Sequence, residues 1–198
     1  MAPSSVKPDL EIDFDRPGPD YHRKAVKGRR ELLARAVGAQ QGARKILDLS
    51  AGLAQDAVFL CQMGFTVTAV ERHPVIAGLL TSALQRTRRP ELRERLTIRE
   101  GDARDVLREP DCARDFDAAY FDPMYPLKKK SALPRKEMLL FRELVGDDAD
   151  AAEVVRLALR LGPPRLAVKR PLKAPPLLEG VKHSFEGTTV RYDIYVRS

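Results

Sequence analysis

The sequence predicts an α/β chain built on a mostly parallel sheet, and three stretches carry that prediction. The first, Ile46-Leu47-Asp48-Leu49-Ser50-Ala51-Gly52-Leu53-Ala54-Gln55-Asp56-Ala57, runs from an apolar strand through a turn of small residues into a helical pattern. The second, Thr66-Val67-Thr68-Ala69-Val70, is a β-branched strand closed by Glu71. The third, Tyr120-Phe121-Asp122-Pro123-Met124-Tyr125-Pro126, follows another apolar run. Short apolar strands that alternate with helical segments pack as a parallel sheet with helices on both faces.

The remaining elements fit this alternation. Strands are expected near 45–50, 66–71, 95–99, 116–122 and 165–169, and helices near 55–63, 74–86 and 136–161, the last broken around Gly146. Residues 31–37 read as a helix ended by Gly38. Val181 to Phe185 and Thr189 to Val196 read as a hairpin turning at Glu186-Gly187-Thr188, which gives a seven-stranded sheet with antiparallel strands at its C-terminal end. Residues 1–30 are expected to form an N-terminal arm, in which Leu10-Glu11-Ile12-Asp13-Phe14 alternates like a short strand. Residues 31–198 form the domain.

Bulk properties narrow the function. A chain of 198 residues with 43% hydrophobic and 32% charged side chains has an ordinary globular balance, which excludes a disordered class. A net charge of +7 favours a polyanionic partner. Cys61 and Cys112 form neither a disulfide framework nor a metal-ligand spacing, and His22, His73 and His183 stand apart, so no metal is expected. Met1-Ala2-Pro3-Ser4-Ser5-Val6-Lys7 has no apolar core of a signal peptide, and no apolar run approaches the ~20 residues that span a bilayer. A cytoplasmic setting with no membrane partner is expected.

The chemistry is concentrated at the ends of the strands. Asp48 closes the first strand, and Ser50 and Gly52 keep the following turn small, so that a ligand can lie against its backbone, with Gln55 and Asp56 opening the helix. Glu71 follows Asp48 at close to the ~20-residue spacing at which an acid meets ribose hydroxyls in a nucleotide-type fold, and Arg72 adjoins it. The glycine-rich phosphate loop of a dinucleotide site is absent, because Ser50 and Ala54 stand where glycines might. That suits a nucleoside without a pyrophosphate. Asp102, with Ala103 beside it, follows the third strand, placed to accept from an adenine exocyclic amine.

The Asp122-Pro123-Met124-Tyr125 turn supplies the second half of the reading. An exocyclic amine on a base has its lone pair delocalised into the ring. To attack a methyl sulfonium it needs acceptors for its hydrogens, and a carboxylate and a carbonyl in a Pro-stiffened turn provide them. Tyr125 offers a face for the base to stack on. Asp122, Pro123 and Tyr125 are therefore the candidate catalytic residues, with Asp122 also placed to touch the cofactor. Together these features point to S-adenosylmethionine (SAM) and a planar amine, on a Rossmann-like methyltransferase fold.

Lys128, Lys129, Lys130, Arg135 and Lys136 follow the fourth strand, and Lys169, Arg170 and Lys173 the fifth. Ligands bind outside the carboxyl ends of such strands, so Lys128, Lys129, Lys130, Lys169 and Arg170 are candidates for RNA phosphate contacts. A nicotinamide-dependent oxidoreductase would want the full glycine fingerprint and leave the Asp122 turn unexplained. A non-catalytic RNA-binding module would leave Glu71 and Asp102 unexplained. Methylation of adenine N6 and of guanine N2 both use an amine-holding turn, and the residues alone do not separate them.

Over nearly the whole length from Leu10, the chain resembles the RsmJ (YhiQ) family of bacterial 16S ribosomal RNA guanine-N2 methyltransferases. Asp48-Leu49-Ser50-Ala51-Gly52-Leu53, Phe121-Asp122-Pro123-Met124-Tyr125-Pro126, Lys130-Ser131-Ala132-Leu133 and Val168-Lys169-Arg170-Pro171 carry the resemblance, the last two most specifically. It implies SAM-dependent methylation of the N2 amine of guanosine 1516 of 16S ribosomal RNA in the small subunit, with SAM contacts at Gln55-Asp56, Glu71-Arg72, Asp102-Ala103 and Asp122. Gln55 replaces the family's usual Arg and Ala54 its usual Gly. Gly101-Asp102-Ala103 stands where better-known members carry Ala-Ser-Ser, and part of their longer N-terminal region has no counterpart here.

Overall fold

The computed structural model describes residues 11–16, 31–124 and 149–197. Seven strands form one sheet: β1 (Lys45–Asp48), β2 (Thr66–Glu71), β3 (Leu96–Glu100), β4 (Ala118–Phe121), β5 (Arg165–Pro171), β6 (His183–Glu186) and β7 (Val190–Val196), in spatial order β3-β2-β1-β4-β5-β7-β6. β1 to β5 are mutually parallel, β7 runs antiparallel to β5, and β6 antiparallel to β7. The expected mixed sheet is present. Its terminal hairpin is folded in so that the last strand lies inside the sheet and β6 forms the edge.

The period of two along each strand divides the interior into two cores. Ile46, Val67, Ala69, Ala118, Tyr120 and Ala167 point to one face, beneath helical residues 31–36 (α1), α2 (Gln55–Gln62), α3 (Pro74–Arg86) and α4 (Pro90–Arg95). Leu47, Val70, Ala119, Phe121, Leu166 and Val168 point to the other, against α5 (Ala103–Arg108), α6 (Cys112–Asp115) and α7 (Ala151–Leu161). Strands buried on both faces read as unbroken apolar runs, which is why β1 and β4 are visible in the sequence. α7 buries Ala151, Val154, Val155 and Ala158, an i, i+3, i+4, i+7 stripe, against the second core. The 136–148 part of the expected long helix lies outside the described residues. α4, α5 and α6 have no counterpart among the elements the sequence pattern predicts.

Residues 11–16 correct the expectation of an N-terminal strand, for they form none. Ile12 and Phe14 are nonetheless buried, in a segment that turns at Phe14 and Asp15 and lies against the junction of α3 and α4. The Ile12 carbonyl accepts from Arg86 Nη2 at 3.3 Å, and the Phe14 carbonyl from Arg89 Nη1 at 3.3 Å. The Asp15 carboxylate accepts from the Arg88 backbone N–H at 3.1 Å. Both cysteines are buried, and burial pushes the Cys61 thiol up to about 12 and the Cys112 thiol up to about 11.

Gly162, which ends α7, has no room for a side chain. A Cβ there would lie 2.7 Å from the Ala158 carbonyl oxygen and 3.0 Å from Leu107 Cδ2. Backbone cannot yield as a flexible side chain can, so Gly162→Ala is expected to lower stability by about 1–3 kcal/mol, the usual cost of overpacking. Urea denaturation checks this. Unchanged stability would mean that α7 ends more loosely than described.

Candidate active site

β1 has β2 on one side and β4 on the other, so the strand order reverses at its carboxyl end. A cleft of about 320 Å³ opens there, lined among others by Asp48, Glu71, Asp102, Tyr120, Asp122 and Lys169. Its floor is the turn after β1. Ala51 N–H donates to the Val70 carbonyl at 2.8 Å and Leu49 N–H to the Tyr120 carbonyl at 2.9 Å, which fastens the turn to both neighbouring strands. Ser50 Oγ accepts from the Asp122 backbone N–H at 2.8 Å, which joins it to the turn after β4. The backbone is left-handed at Gly52 (φ 55°) and Ala54 (φ 56°). For an alanine that conformation costs about 1–2 kcal/mol. Its fully buried methyl group offsets about 0.8 kcal/mol.

Glu71 is held from two sides. Its Oε2 accepts from Gly52 N–H at 2.9 Å and its Oε1 from His73 N–H at 2.8 Å. Burial raises its pKa, and those two N–H groups oppose the rise. A carboxylate fixed in this way keeps lone pairs for a vicinal diol, so the residues fit the ribose of an adenosine. Glu71→Ala removes the acceptor and loosens the turn at Gly52, and is expected to weaken SAM binding by roughly 1–3 kcal/mol. Calorimetry measures this directly, and undiminished affinity would place the ribose elsewhere.

Asp48 is only 1% exposed, and its Oδ1 accepts from Ser50 N–H at 3.0 Å. Burial pushes its carboxyl up to about 8, against the Ser50 hydrogen bond and with help from the charges of Asp56 and Asp122. A buried carboxyl in a cleft suits a cationic ligand, such as an amino-acid ammonium group. Asp102 caps α5 and is gripped by Arg104, whose Nη2 lies 2.7 Å from Oδ2 and Nε 2.9 Å from Oδ1. That grip holds the Asp102 carboxyl down to about 2. Any adenine contact by Asp102 would therefore use the lone pairs that Arg104 leaves.

The rim has a feature with no signal in the sequence. Asp150, immediately before α7, accepts from Arg72 Nη1 at 3.2 Å and lies 3.4 Å from Arg104 Nη2. Arg104 also pairs with Glu153 at 3.2 Å. Arg72 thus has Asp150 as a partner, and the chain from Arg72 to Asp102 borders one end of the cleft. Gln55 and Ala103, the first residues of α2 and α5, line the cleft as expected.

The basic edge needs correction at two positions. Lys169 and Arg170 do not present their charges outward for RNA phosphates. Lys169 Nζ lies 2.7 Å from Asp56 Oδ2 and 2.7 Å from Asp122 Oδ2, inside the cleft. Burial alone would lower its pKa, but the Asp122 and Asp56 carboxylates outweigh burial and keep the ammonium charged. Tyr120, fully buried, donates from its hydroxyl to the same Asp56 Oδ2 at 2.6 Å. Arg170 is 5% exposed and donates from Nε to the Pro175 carbonyl at 3.0 Å, which fixes the loop after β5. Pro123 is buried beside Asp122. Tyr125, Lys128, Lys129 and Lys130 lie outside the described residues. No group of three His, Cys, Asp or Glu side chains that could hold a metal occurs among the described residues.

A seven-stranded sheet of this order, with an acidic nucleoside cleft at its reversal point, defines the class of SAM-dependent methyltransferases. A SAM-dependent methyltransferase family model, SAM_MT, matches residues 3–197. The chain is 51% identical over 187 residues to the ribosomal RNA small subunit methyltransferase J of Bdellovibrio bacteriovorus, covering 94% of this chain and 74% of that one. It is 44% identical over 193 residues to the protein of the same name from Pseudomonas aeruginosa, covering 94% and 73%. Among solved structures it is similar to a SAM-dependent methyltransferase from Neisseria gonorrhoeae, with a TM-score of 0.70, 27% identity, and 95% and 74% of the two chains covered. The chain belongs to the ribosomal RNA small subunit methyltransferase J family, and its cofactor is SAM.

Proposed function

We propose that this enzyme methylates the exocyclic N2 amine of a guanosine, position 1516, in 16S ribosomal RNA of the small subunit, and does so in the cytoplasm. The relatives named above act on small-subunit ribosomal RNA by name. Among the described residues no helix is long and apolar enough to cross a membrane. The observation that carries the reading is the turn after β4. Its Asp122 lines the same cleft as Glu71 and Asp48, with its backbone N–H bound to Ser50 Oγ and its carboxylate to Lys169 Nζ.

SAM bound in the cleft supplies an electrophilic methyl group on a sulfonium. The chain's own residues do the rest by placement. Asp122 is positioned to accept a hydrogen from the target amine, which returns lone-pair density to the nitrogen as it pyramidalises. Pro123 stiffens the turn so that this acceptor does not drift. Tyr125 offers its ring as a stacking surface for the base, worth about 1–3 kcal/mol. The dominant effect is orientation for in-line transfer.

The test uses small subunits and free 16S RNA from a strain lacking the corresponding methyltransferase, with tritiated SAM and nucleoside analysis of the product. N2-methylguanosine at the one position is expected. N6-methyladenosine would overturn the choice of base, and incorporation into neither RNA would overturn the substrate.

A further inference from the structure

We infer that Lys169 and Asp56 are positioning residues for the methyl transfer. Lys169 pins one oxygen of Asp122, and Asp56 restores the negative charge that this pinning would otherwise cancel. The inference deepens the function proposed above and rests on it for the identity of the target amine.

The geometry is specific. Three charged groups from three separate elements meet in the cleft: Asp56 from the first turn of α2, Asp122 from the end of β4 and Lys169 from β5. The ammonium touches Oδ2 of both carboxylates at 2.7 Å. The Lys169 and Asp56 side chains are 16% and 13% exposed and that of Asp122 35%, so the cluster is sheltered on the α2 side and open at Asp122. The lysine bond to Asp122 runs through Oδ2, so the ammonium sets the orientation of the whole carboxylate through one oxygen. Tyr120 locks Asp56 in turn through its hydroxyl at 2.6 Å.

The charge count explains why a second carboxylate is present. Lys169 with Asp122 alone would be neutral, and a neutral pair gives little to a reaction in which positive charge moves from sulfur onto the base amine. In that step the amine nitrogen forms a bond to the methyl carbon while the sulfur–carbon bond breaks and its electron pair stays on sulfur. The nitrogen then sheds one proton, through the Asp122 carboxylate to water. With Asp56 included, these three side chains together carry one net negative charge, placed where the positive charge arrives. Buried networks of this kind hold their geometry only when every member is satisfied. Among the described residues, Asp48 from β1, Tyr120 from β4 and Tyr192 from β7 also face the cluster, and the Tyr192 ring lies 6.4 Å from that of Tyr120.

The experiment compares Lys169→Met, Asp56→Asn and the double variant in kcat, SAM affinity by calorimetry, and the pH profile of kcat. Lys169→Met should lower kcat about 10²-fold, the scale of a misplaced reacting group, with SAM affinity close to wild type. It removes the ammonium that both carboxylates touch, so their mutual repulsion favours a proton on one of them and the acid limb of the profile moves to higher pH. Asp56→Asn should lower kcat about tenfold through lost charge, without that upward move. The double variant again holds one net negative charge. Its acid limb should return to the wild-type position while kcat stays low, because the lysine no longer pins Asp122. Wild-type kcat and profile in Lys169→Met, or an acid limb still displaced in the double variant, would overturn the inference. If Lys169→Met does not fold, the double variant compared with Asp56→Asn isolates the lysine, and equal kcat in those two would overturn it. NMR titration of the aspartate carboxyls reads the charge arrangement without substrate. A wild-type enzyme inactive on 16S RNA would therefore overturn only the substrate assignment.

Discussion

Asp122→Asn should abolish most turnover while leaving SAM bound. The amide keeps one acceptor oxygen but replaces the anion with a neutral group and turns a donor toward an amine that needs an acceptor. The interaction matters most as the target nitrogen rehybridises, so its loss falls on kcat rather than on ground-state binding. A fall of about 10²–10³-fold in single-turnover rate is expected, the range seen when one preorganised electrostatic group is removed. SAM affinity, set by Glu71 and the turn after β1, should change far less. Lys169 keeps Asp56 as a partner in this variant, so misfolding is not the expected cause of the loss. A wild-type single-turnover rate would remove Asp122 from the chemistry.

The second large effect concerns stability. Burial holds the Asp48 carboxyl at about 8, far above its value of 3.8 in an unfolded chain. The folded state therefore binds more protons than the unfolded state between those two values. The stability that follows from this is full below the unfolded value and is lost as pH rises through the folded one. Asp48→Asn cannot ionise and so lacks this loss. The stability of Asp48→Asn relative to wild type should therefore rise between about pH 4 and pH 8.5 by on the order of 2–5 kcal/mol, since a tenfold change in proton affinity corresponds to about 1.4 kcal/mol. Denaturant unfolding of the SAM-free proteins at several pH values measures this difference. A difference that does not vary with pH would mean that Asp48 ionises in the folded protein as it does in water.

The parts of the fold legible in the sequence are those whose signal is local. β1 and β4 are short apolar runs and β2 a β-branched one, each ending in or followed by an acid, and the mostly small residues from Ser50 to Ala54 mark the turn between strand and helix. Pattern alone therefore places Asp48, Glu71 and Asp122 at one edge of the sheet. The short helices α4, α5 and α6, of six, six and four residues, span less than two turns and give no usable periodicity. Ile12 and Phe14 alternate and are buried, but alternation does not distinguish a sheet strand from an irregular segment packed against helices. Lys169 is hidden for a further reason. A Lys-Arg pair at a strand end resembles a solvated basic edge, and nothing near it in sequence reveals its partners. They lie 113 and 47 residues away, at Asp56 and Asp122. Arg170 is explained by the Pro175 carbonyl, which no charge pattern predicts.

The place of β7 has a consequence for how the chain acquires its structure as it is made. β6 precedes β7 in the sequence but touches the sheet only through it, and β5 pairs with β7 along its whole length, Arg165 opposite Val196 and Pro171 opposite Val190. During vectorial synthesis β1 to β5 can assemble first, leaving one flank of β5 with unpaired amides. That flank stays a template for wrong strands until residues 190–196 arrive. The same strand carries Lys169, so the active-site lysine is anchored by the last pairing to form. A nascent chain stopped before β7 would hold Asp48, Glu71 and Asp122 on paired strands and still lack Tyr192, the ladder partner of Lys169.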